Sequence, residues 1–315
     1  MARSKVGARP RSRNAQGHQP QAGAPPSSTR SGRPGRNRAA AAIPSGNPPA
    51  LLRQLGLSAR KALSQSFLMD ESVCRQMADW AAVGPDDEVL EIGPGLGILT
   101  RQLVTRAKRV VAVELDPKLA EHLPNLVGSS RLHVVHDDAL AFDPASSFTG
   151  PYKLVANLPY QISSPVLHRY LLDVRRPRVL VVMLQREVAE RIAAAPGRAS
   201  YLSILVQSVA DVRLMRRVPP GAFYPRPQVT SAVLEILPQD PPDLVGDRLE
   251  AFVRFVRAGF AQPRKTLANS LAQGLNRCRS NVGTWIDAAG LDPRKRPQEL
   301  GVADWLRLLD AHSPP

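Results

Sequence analysis

The middle of the chain contains a tetrapeptide that combines an amide side chain, a rigid turn and an aromatic ring: Asn157-Leu158-Pro159-Tyr160. The exocyclic amine of adenine is a poor nucleophile, because its lone pair is delocalised into the base. The Asn157 amide oxygen and the Leu158 backbone carbonyl can each accept one hydrogen of such an amine. Two acceptors draw the nitrogen toward tetrahedral geometry, so the tetrapeptide indicates methyl transfer to an adenine amine.

The last two residues of this tetrapeptide favour the same chemistry. Pro159 has a fixed φ and no N–H, so it stiffens the turn that presents the Leu158 carbonyl. Tyr160 offers a ring on which a base can stack once it leaves its helix or lies in a single strand. The same residues also fit an ordinary Asn-Xaa-Pro turn after a strand, so the interpretation depends on the rest of the chain.

A glycine-rich segment lies where a predicted strand passes into a predicted helix. It runs from Glu91 to Gly97 and reads EIGPGLG. Glycines let the backbone approach a ligand, and the first turn of a helix has free N–H groups. The dinucleotide pattern GxGxxG needs a glycine at position 98, where the chain has Ile98, which argues against a nicotinamide dehydrogenase. The tighter spacing of Gly93, Gly95 and Gly97 fits an adenosine ligand with an amino-acid tail, and a turn without a ligand is the alternative.

Carboxylates follow the next two predicted strands. Glu114 lies at the end of the second strand, where it can accept hydrogen bonds from both ribose hydroxyls and would repel a 2′-phosphate. Asp138 follows the third strand, where it can accept a hydrogen bond from an adenine amino group. Each acid alone also fits a solvated charge at a strand end. Together with the glycine loop they predict a ligand crevice at three consecutive strand ends.

The net charge of +15 is unevenly distributed along the chain. No Asp or Glu precedes Asp70, and the 12 Lys and Arg residues before it leave a net charge of only +3 for the rest. Residues 1–49 are rich in Arg, Pro, Gly and Ser and have few large aliphatic residues, so we predict a disordered basic tail. Three roles stay open for this tail: an RNA-attracting arm, an organelle transit peptide, or a tail with weak nonspecific binding.

The cysteines and apolar runs exclude several other classes. Cys74 and Cys278 are far apart and predict neither a disulfide framework nor a zinc site, and we expect no metal. No apolar run reaches the roughly 18 residues that span a bilayer, so no membrane partner is predicted. No apolar run follows Met1, where a secretory signal peptide would have one. We expect a cytoplasmic monomer, or an organelle protein if residues 1–49 are a transit peptide.

From Leu51 onward, short apolar runs alternate with amphipathic segments. The predicted strands are 89–92, 110–114, 132–136, 154–156, 179–184 and, as the last of the sheet, 229–237. Helices are predicted over 99–104, 117–126 and 164–172, and after the Pro-rich linker 240–243 over 249–260, 263–272, 281–288 and 303–310. This alternation is typical of an α/β fold with a parallel sheet and helices on both faces. We predict an α/β domain over 50–239 and a small all-helical domain over 240–315.

Several segments, taken in order, resemble the ribosomal RNA adenine N6-dimethyltransferases, most closely the bacterial small-subunit (KsgA/RsmA) type. The resemblance extends from about Leu51 to about Leu309. It rests on segments 61–68, 89–100, 113–116, 157–165, 183–187, 219–227, 229–233 and 264–271. The last of these reads RKTLANSL and is similar to a segment of the small-subunit enzymes.

The resemblance implies an S-adenosylmethionine-dependent methyltransferase with a Rossmann-like domain and a C-terminal helical domain that recognises rRNA. The implied reaction is N6-dimethylation of two adjacent adenosines near the 3′ end of small-subunit rRNA, within an immature ribosomal subunit, as a step of ribosome biogenesis. The cofactor would contact Ser66, Leu68, Gly93, Gly95, Gly97, Glu114, Asp138 and Asn157. The target amine would be held by Asn157, Leu158, Pro159 and Tyr160, with Phe223 as a candidate second stacking residue.

The chain departs from the family pattern at a few positions. Ser66 stands where Asn or His is usual, so we expect a weakened or water-mediated cofactor contact there. Two alternatives stay open: a large-subunit rRNA adenine dimethylase that confers macrolide resistance, and a nonenzymatic assembly or transcription factor on the same fold. Leu158 and segment 264–271 argue against the first alternative, and Asn157 with Tyr160 argues against the second.

Overall fold

The computed structural model describes residues 48–56, 65–240 and 242–312. The predicted basic tail lies outside these residues except for positions 48 and 49, which begin the first helix. Residues 61–64 of the first resemblance segment and residue 241 of the predicted linker also lie outside them. Within the described ranges, no helix is both long enough and apolar enough to cross a membrane.

The strands of the described residues form one large sheet and one small sheet. In chain order they are β1 (Phe67–Leu68), β2 (Glu88–Ile92), β3 (Arg109–Glu114), β4 (Leu132–His136), β5 (Lys153–Asn157), β6 (Leu180–Gln185), β7 (Ala210–Val218), β8 (Phe223–Tyr224) and β9 (Ser231–Pro238). The large sheet has the order β4-β3-β2-β5-β6-β9-β7, and its first five members are parallel. Strands β1 and β8 pair separately and antiparallel, with Leu68 opposite Phe223.

The central strands consist largely of Val, Leu and Ile and are buried on both faces. Parallel strands have this composition because helices cover both sides of the sheet. The strand order reverses between β2 and β5, which are neighbours in the sheet but are separated by two strands in the chain. This reversal opens a crevice at the carboxyl ends of the parallel strands.

Helices cover the sheet and complete the C-terminal part of the chain. They are α1 (Pro48–Gln54), α2 (Glu71–Trp80), α3 (Ile98–Val104), α4 (Pro117–Val127), α5 (Ser163–Leu172), α6 (Arg186–Ile192), α7 (Tyr201–Gln207), α8 (Gly246–Gly259), α9 (Leu267–Gly274), α10 (Arg279–Ala288) and α11 (Val302–His312). Asp116 begins α4 by accepting hydrogen bonds from the N–H groups of Lys118 and Leu119. Such a cap satisfies backbone donors that the helix itself leaves unpaired.

The structure corrects the predicted sheet in two respects. The sheet is mixed rather than parallel, because β9 is antiparallel to β6 and to β7. Strand β9 lies inside the sheet, and β7, which the sequence pattern does not predict, forms the edge. The ladder between β7 and β9 shifts register between Leu214 and Arg216, so the apolar alternation of β7 is interrupted there.

One helix boundary is also wrong in the sequence prediction. Helix α9 begins at Leu267 and not at Pro263. The intervening residues form a turn in which the Lys265 N–H donates to the Gln262 carbonyl. The Ser270 hydroxyl accepts from the Gln262 N–H and donates to the Gly259 carbonyl, and these bonds hold the turn between α8 and α9.

Helices α8 to α11 enclose an apolar cluster that includes Phe252, Leu271, Trp305 and Leu308. Ile204 of α7 belongs to the same cluster, so α7 packs with the C-terminal helices. The division of the chain at 239/240 into two domains stays a prediction.

Gly274 lets α9 approach the backbone of α8. A Cβ at this position would lie 2.3 Å from the Ala258 carbonyl oxygen, which cannot yield as a flexible side chain does. We expect Gly274→Ala to lower the free energy of unfolding by about 2 to 3 kcal/mol. Gly283→Ala in α10 is the matched control, because a Cβ there meets nothing within 4 Å. Denaturant unfolding of the two full-length variants measures the difference, and equal stabilities would contradict this role for Gly274.

Candidate functional site

A cavity lies in the crevice where the strand order reverses, at the carboxyl ends of β2, β3 and β5. Ligands of open α/β sheets bind at this position. Every predicted site residue except Gly97 lines the cavity: Ser66, Leu68, Gly93, Gly95, Glu114, Asp138, Asn157, Leu158, Pro159, Tyr160 and Phe223. The structure therefore brings the predicted cofactor residues and the predicted amine-binding residues together.

Backbone geometry explains the first two glycines of the loop. Gly93 and Gly95 have φ values of 66° and 57°, in the left-handed region that favours glycine. A Cβ on Gly95 would also lie 2.9 Å from the Phe67 ring. The Gly93 N–H donates to the Val113 carbonyl at 2.9 Å and fixes the loop against β3. The loop thus presents backbone without side chains to the cavity.

Gly97 is required for helix packing, and the structure does not bring it to the cavity. It is the N-cap residue of α3, with a φ of 76°. A Cβ on Gly97 would lie 2.8 Å from Val127 and 2.9 Å from Leu123, both on α4. The third glycine of the pattern therefore serves the contact between α3 and α4. It is not among the residues that line the cavity, and its contact with a cofactor stays a prediction.

Glu114 is buried at the end of β3, and both of its carboxylate oxygens bind backbone. Its Oε2 accepts from the Gly95 N–H at 3.1 Å, and its Oε1 accepts from the Asp116 N–H at 3.0 Å. Burial raises the pKa of Glu114, against these hydrogen bonds, which lower it. Glu114 therefore fixes the glycine loop to the start of α4 and also lines the cavity.

The other cavity walls come from distant parts of the chain. Asp138 is exposed after β4, where its carboxylate accepts from the Leu140 N–H at 2.9 Å. The opposite wall consists of Ser66 and Leu68, at β1, and Phe223 of β8. The small sheet of β1 and β8 thus holds Leu68 and Phe223 opposite each other.

The Asn157 turn presents two unused acceptors beside the glycine loop. The Asn157 Nδ2 donates to the Ser66 carbonyl at 3.5 Å, which directs the amide oxygen away from that carbonyl. The Leu158 N–H donates to the Met183 carbonyl at 3.0 Å and anchors the turn to β6. Among the described residues, no hydrogen bond ends on the Asn157 Oδ1 or the Leu158 carbonyl. A Cβ on Gly93 would touch the Pro159 ring at 3.5 Å, so turn and loop are adjacent.

Tyr160 is half-buried at the cavity and is held at both ends. Its hydroxyl lies 2.7 Å from the Ser231 Oγ, and its backbone carbonyl accepts from the Ser163 hydroxyl at 2.9 Å. Burial raises the pKa of the Tyr160 phenol, so its hydroxyl stays protonated at neutral pH. Ser231 has no role in the sequence prediction, although it lies within the resemblance segment 229–233, because it is 71 positions from Tyr160 in the chain.

Glu91 is a second cavity residue without a role in the sequence prediction. It is 1% exposed, and its Oε2 has no hydrogen-bond partner among the described residues. Burial raises the pKa of Glu91 to about 8. An acid inside the apolar run Val89-Leu90-Glu91-Ile92, directly before the glycine loop, was the signal available in the sequence. Glu91 is therefore a buried carboxyl among the cavity residues, with one oxygen that no described group satisfies.

The raised pKa of Glu91 predicts a pH dependence of stability for the ligand-free protein. The folded state keeps the Glu91 proton up to pH about 8. In the unfolded chain the same carboxyl has the ordinary pKa of 4.5 and loses its proton at lower pH. Stability should therefore fall as pH rises through this window, by up to about 1.4 kcal/mol per pH unit from this group. The difference in unfolding free energy between wild type and Glu91→Gln, measured from pH 5 to 8, isolates the Glu91 contribution. A difference independent of pH would contradict the shift.

Comparison with known proteins places residues 56–311 in a family of rRNA-modifying enzymes. The family model for ribosomal RNA adenine dimethylase matches residues 56–311. A protein of Dehalococcoides mccartyi named Ribosomal RNA small subunit methyltransferase A is 40% identical over 255 residues, which cover 80% of this chain and 88% of that protein. A protein of the same name from Anaeromyxobacter sp. is 42% identical over 275 residues, which cover 83% of this chain and 96% of that protein.

Two solved structures share the fold. The 23S rRNA methyltransferase ErmE has a TM-score of 0.63 and is 30% identical, with 78% of this chain and 98% of that chain covered. A dimethyladenosine transferase from Plasmodium falciparum has a TM-score of 0.64 and is 26% identical, with 77% of this chain and 95% of that chain covered. All the cavity residues lie inside the range that the family model matches.

Proposed function

Since the chain belongs to the ribosomal RNA adenine dimethylase family, we propose that its substrate is small-subunit rRNA. The reaction is N6-dimethylation of two adjacent adenosines near the 3′ end of that RNA. The names of the curated relatives that match along most of the chain favour the small subunit. In this proposal a monomer acts in the cytoplasm on an immature subunit, as a step of ribosome biogenesis.

The methyl donor in this proposal is S-adenosylmethionine, and the cavity fits it. The donor is an adenosine with a methionine tail, and it carries positive charge on a sulfonium and an ammonium group. Glu91 is a buried carboxyl among the cavity residues, and a bound cation would favour its ionised form. Glu114 and Asp138 offer carboxylate acceptors to the ribose and adenine groups, and Gly93 and Gly95 leave room for close approach. When bound, the cofactor supplies an electrophilic methyl group.

One observation carries the reaction assignment: two unused acceptors, the Asn157 Oδ1 and the Leu158 carbonyl, lie on the wall of the cofactor cavity. In the first transfer they accept the two hydrogens of the adenine N6 amine and leave its lone pair directed at the methyl group. In the second transfer N6 has one hydrogen, and one of the two acceptors binds it. Tyr160, which is half-buried at the cavity, provides a surface on which the displaced base stacks. Phe223 lines the cavity but is only 3% exposed and packs in the core, so it supports Tyr160 less directly than the sequence predicts. The leaving group is a neutral thioether, so the extra proton on N6 can pass to water without a strong general base.

The contact between Asn157 and Ser66 explains how the departure at position 66 is compatible with activity. The Asn157 amide is oriented by the backbone carbonyl of Ser66, not by its side chain. A serine in place of the usual Asn or His therefore keeps the bond that orients Asn157. The substitution changes only what the side chain of residue 66 offers to the cofactor.

A direct assay tests the proposal. The full-length protein is incubated with tritiated S-adenosylmethionine and immature small subunits from a strain that lacks the modification. We expect N6,N6-dimethyladenosine at two adjacent positions of the small-subunit rRNA. A protein that binds the cofactor and transfers no methyl group would instead be a nonenzymatic assembly factor.

A second candidate substrate is large-subunit rRNA, because ErmE, a 23S rRNA methyltransferase, shares the fold at 30% identity. The same assay with large subunits or naked large-subunit rRNA distinguishes the two. Label in large-subunit rRNA, with none in the small subunit, would select this second candidate.

A further inference from the structure

Ser231 occupies the first position of β9, where neighbouring strands on both sides fix its backbone. It pairs with Gln185 of β6 and with Val218 of β7. Its side chain is fully buried. The position of the Ser231 hydroxyl is therefore determined by the sheet and does not vary with the loops around the cavity.

This hydroxyl is the partner of the Tyr160 phenol, at 2.7 Å. The second contact, from the Ser163 hydroxyl to the Tyr160 carbonyl, fixes the backbone of the same residue to the start of α5. A tyrosine ring held at its backbone and at its hydroxyl has lost most of its rotational freedom before any ligand binds. A ring that is ordered in advance loses less conformational entropy when a base stacks on it.

We propose that Ser231 is a positioning residue for methyl transfer, whose hydroxyl holds the Tyr160 ring in the orientation on which the target adenine stacks. This inference rests on the proposed function, because it takes Tyr160 as the stacking residue. Ser231 itself lies behind Tyr160 and is not among the residues that line the cavity. Its effect on the reaction is therefore exerted through Tyr160.

The test compares Ser231→Ala, Tyr160→Phe and the double variant in the full-length chain. Each single change removes the same hydrogen bond and leaves an aromatic ring at position 160. With saturating S-adenosylmethionine, we expect kcat on small subunits to fall about tenfold in each single variant. The double variant should fall no further than either single variant, because the bond is lost only once. The KM for S-adenosylmethionine should stay within about twofold of wild type in all three.

A spectroscopic measurement tests the contact without relying on activity. The chain has five tyrosines, and isotope labelling at Cζ reports the hydrogen bonding of each phenol. Tyr160→Phe identifies the Tyr160 resonance by removing it, and Ser231→Ala should shift that resonance and leave the others in place. Ser208→Ala is the matched control, because Ser208 is also buried and donates to the Leu205 carbonyl away from the cavity. It should leave both the resonance and kcat unchanged.

Several outcomes would overturn the proposal. If the kcat losses of the two single variants multiply in the double variant, Ser231 acts independently of Tyr160. An unshifted Tyr160 resonance in Ser231→Ala would show that the bond does not form in solution. If Ser231→Ala fails to fold, Tyr160→Phe removes the same hydrogen bond at a residue that is only half-buried. Unchanged kcat in Tyr160→Phe would then overturn the proposal. A wild type that methylates no rRNA would overturn the proposed function itself, which is a distinct result.

Discussion

Replacing Asn157 by alanine should lower the rate of methyl transfer about 1000-fold, the cost of removing one well-placed polar group from a reaction centre. The Asn157 Oδ1 is one of two acceptors that turn the amine lone pair toward the methyl group. Without it, the nitrogen stays planar and its lone pair stays in the base. Cofactor binding should weaken by no more than about threefold, because Glu91, Glu114 and the glycine loop remain in place.

Single-turnover methylation and calorimetric titration of S-adenosylmethionine separate these two effects. Asn125→Ala is the matched control, because Asn125 is an exposed residue of α4 and does not line the cavity. It should leave both quantities unchanged. Unchanged turnover in Asn157→Ala would remove Asn157 from the reaction, and a loss confined to cofactor affinity would make it a cofactor residue only.

The sequence predicts the parallel strands well because burial on both faces requires continuous apolar runs. Strands β2, β3 and β6 lie within one or two residues of their predicted bounds. Strand β7 carries Arg213, Arg216 and Arg217 on an edge of the sheet, where one side faces solvent and a register shift breaks the alternation. No local pattern distinguishes such a strand from a polar loop, and only its pairing with β9 defines it.

The site was predictable where a motif fixes its own local geometry. The Asn157 turn and the first two glycines lie together at the cavity, and their predicted roles depend on a few adjacent residues. Gly97 belongs to the same glycine pattern and has the same left-handed backbone, and side chains on α4 add a packing requirement that the local sequence does not show. The contact between Tyr160 and Ser231 depends on the position of β9 within the sheet, which the sequence reasoning did not obtain.

Charge contributes less to the RNA assignment than the total of +15 suggests. Many arginines of the described residues have acidic partners, including the pairs Arg106–Asp79, Arg109–Glu88, Arg217–Glu190 and Arg248–Asp310. Exposed pairs of this kind add little stability, but they neutralise the local surface. The assignment to rRNA therefore rests on the Asn157 turn, the cavity and the family. The role of the basic tail stays a prediction.

Replacing Glu114 by alanine should have the largest effect on cofactor binding. The Glu114 carboxylate accepts hydrogen bonds from the N–H groups of Gly95 and Asp116, so its loss removes both bonds and releases the glycine loop. It also removes the acceptor proposed for the ribose hydroxyls. Hydrogen bonds to a charged group contribute about 1.5 to 3 kcal/mol each, so we expect affinity for S-adenosylmethionine to fall about 100-fold.

This variant tests whether cofactor binding depends on Glu114, through the ribose contact and the glycine loop together. Glu121→Ala, on the exposed face of α4, is the matched control and should bind the cofactor like wild type. Calorimetric titration gives the affinity, and turnover at saturating cofactor shows whether the reaction centre survives. If Glu114 serves the cofactor, a high cofactor concentration should restore most of kcat, since Asn157 and Leu158 are anchored separately to Ser66 and to β6. A loss of stability with unchanged affinity would leave Glu114 as a support for the loop alone.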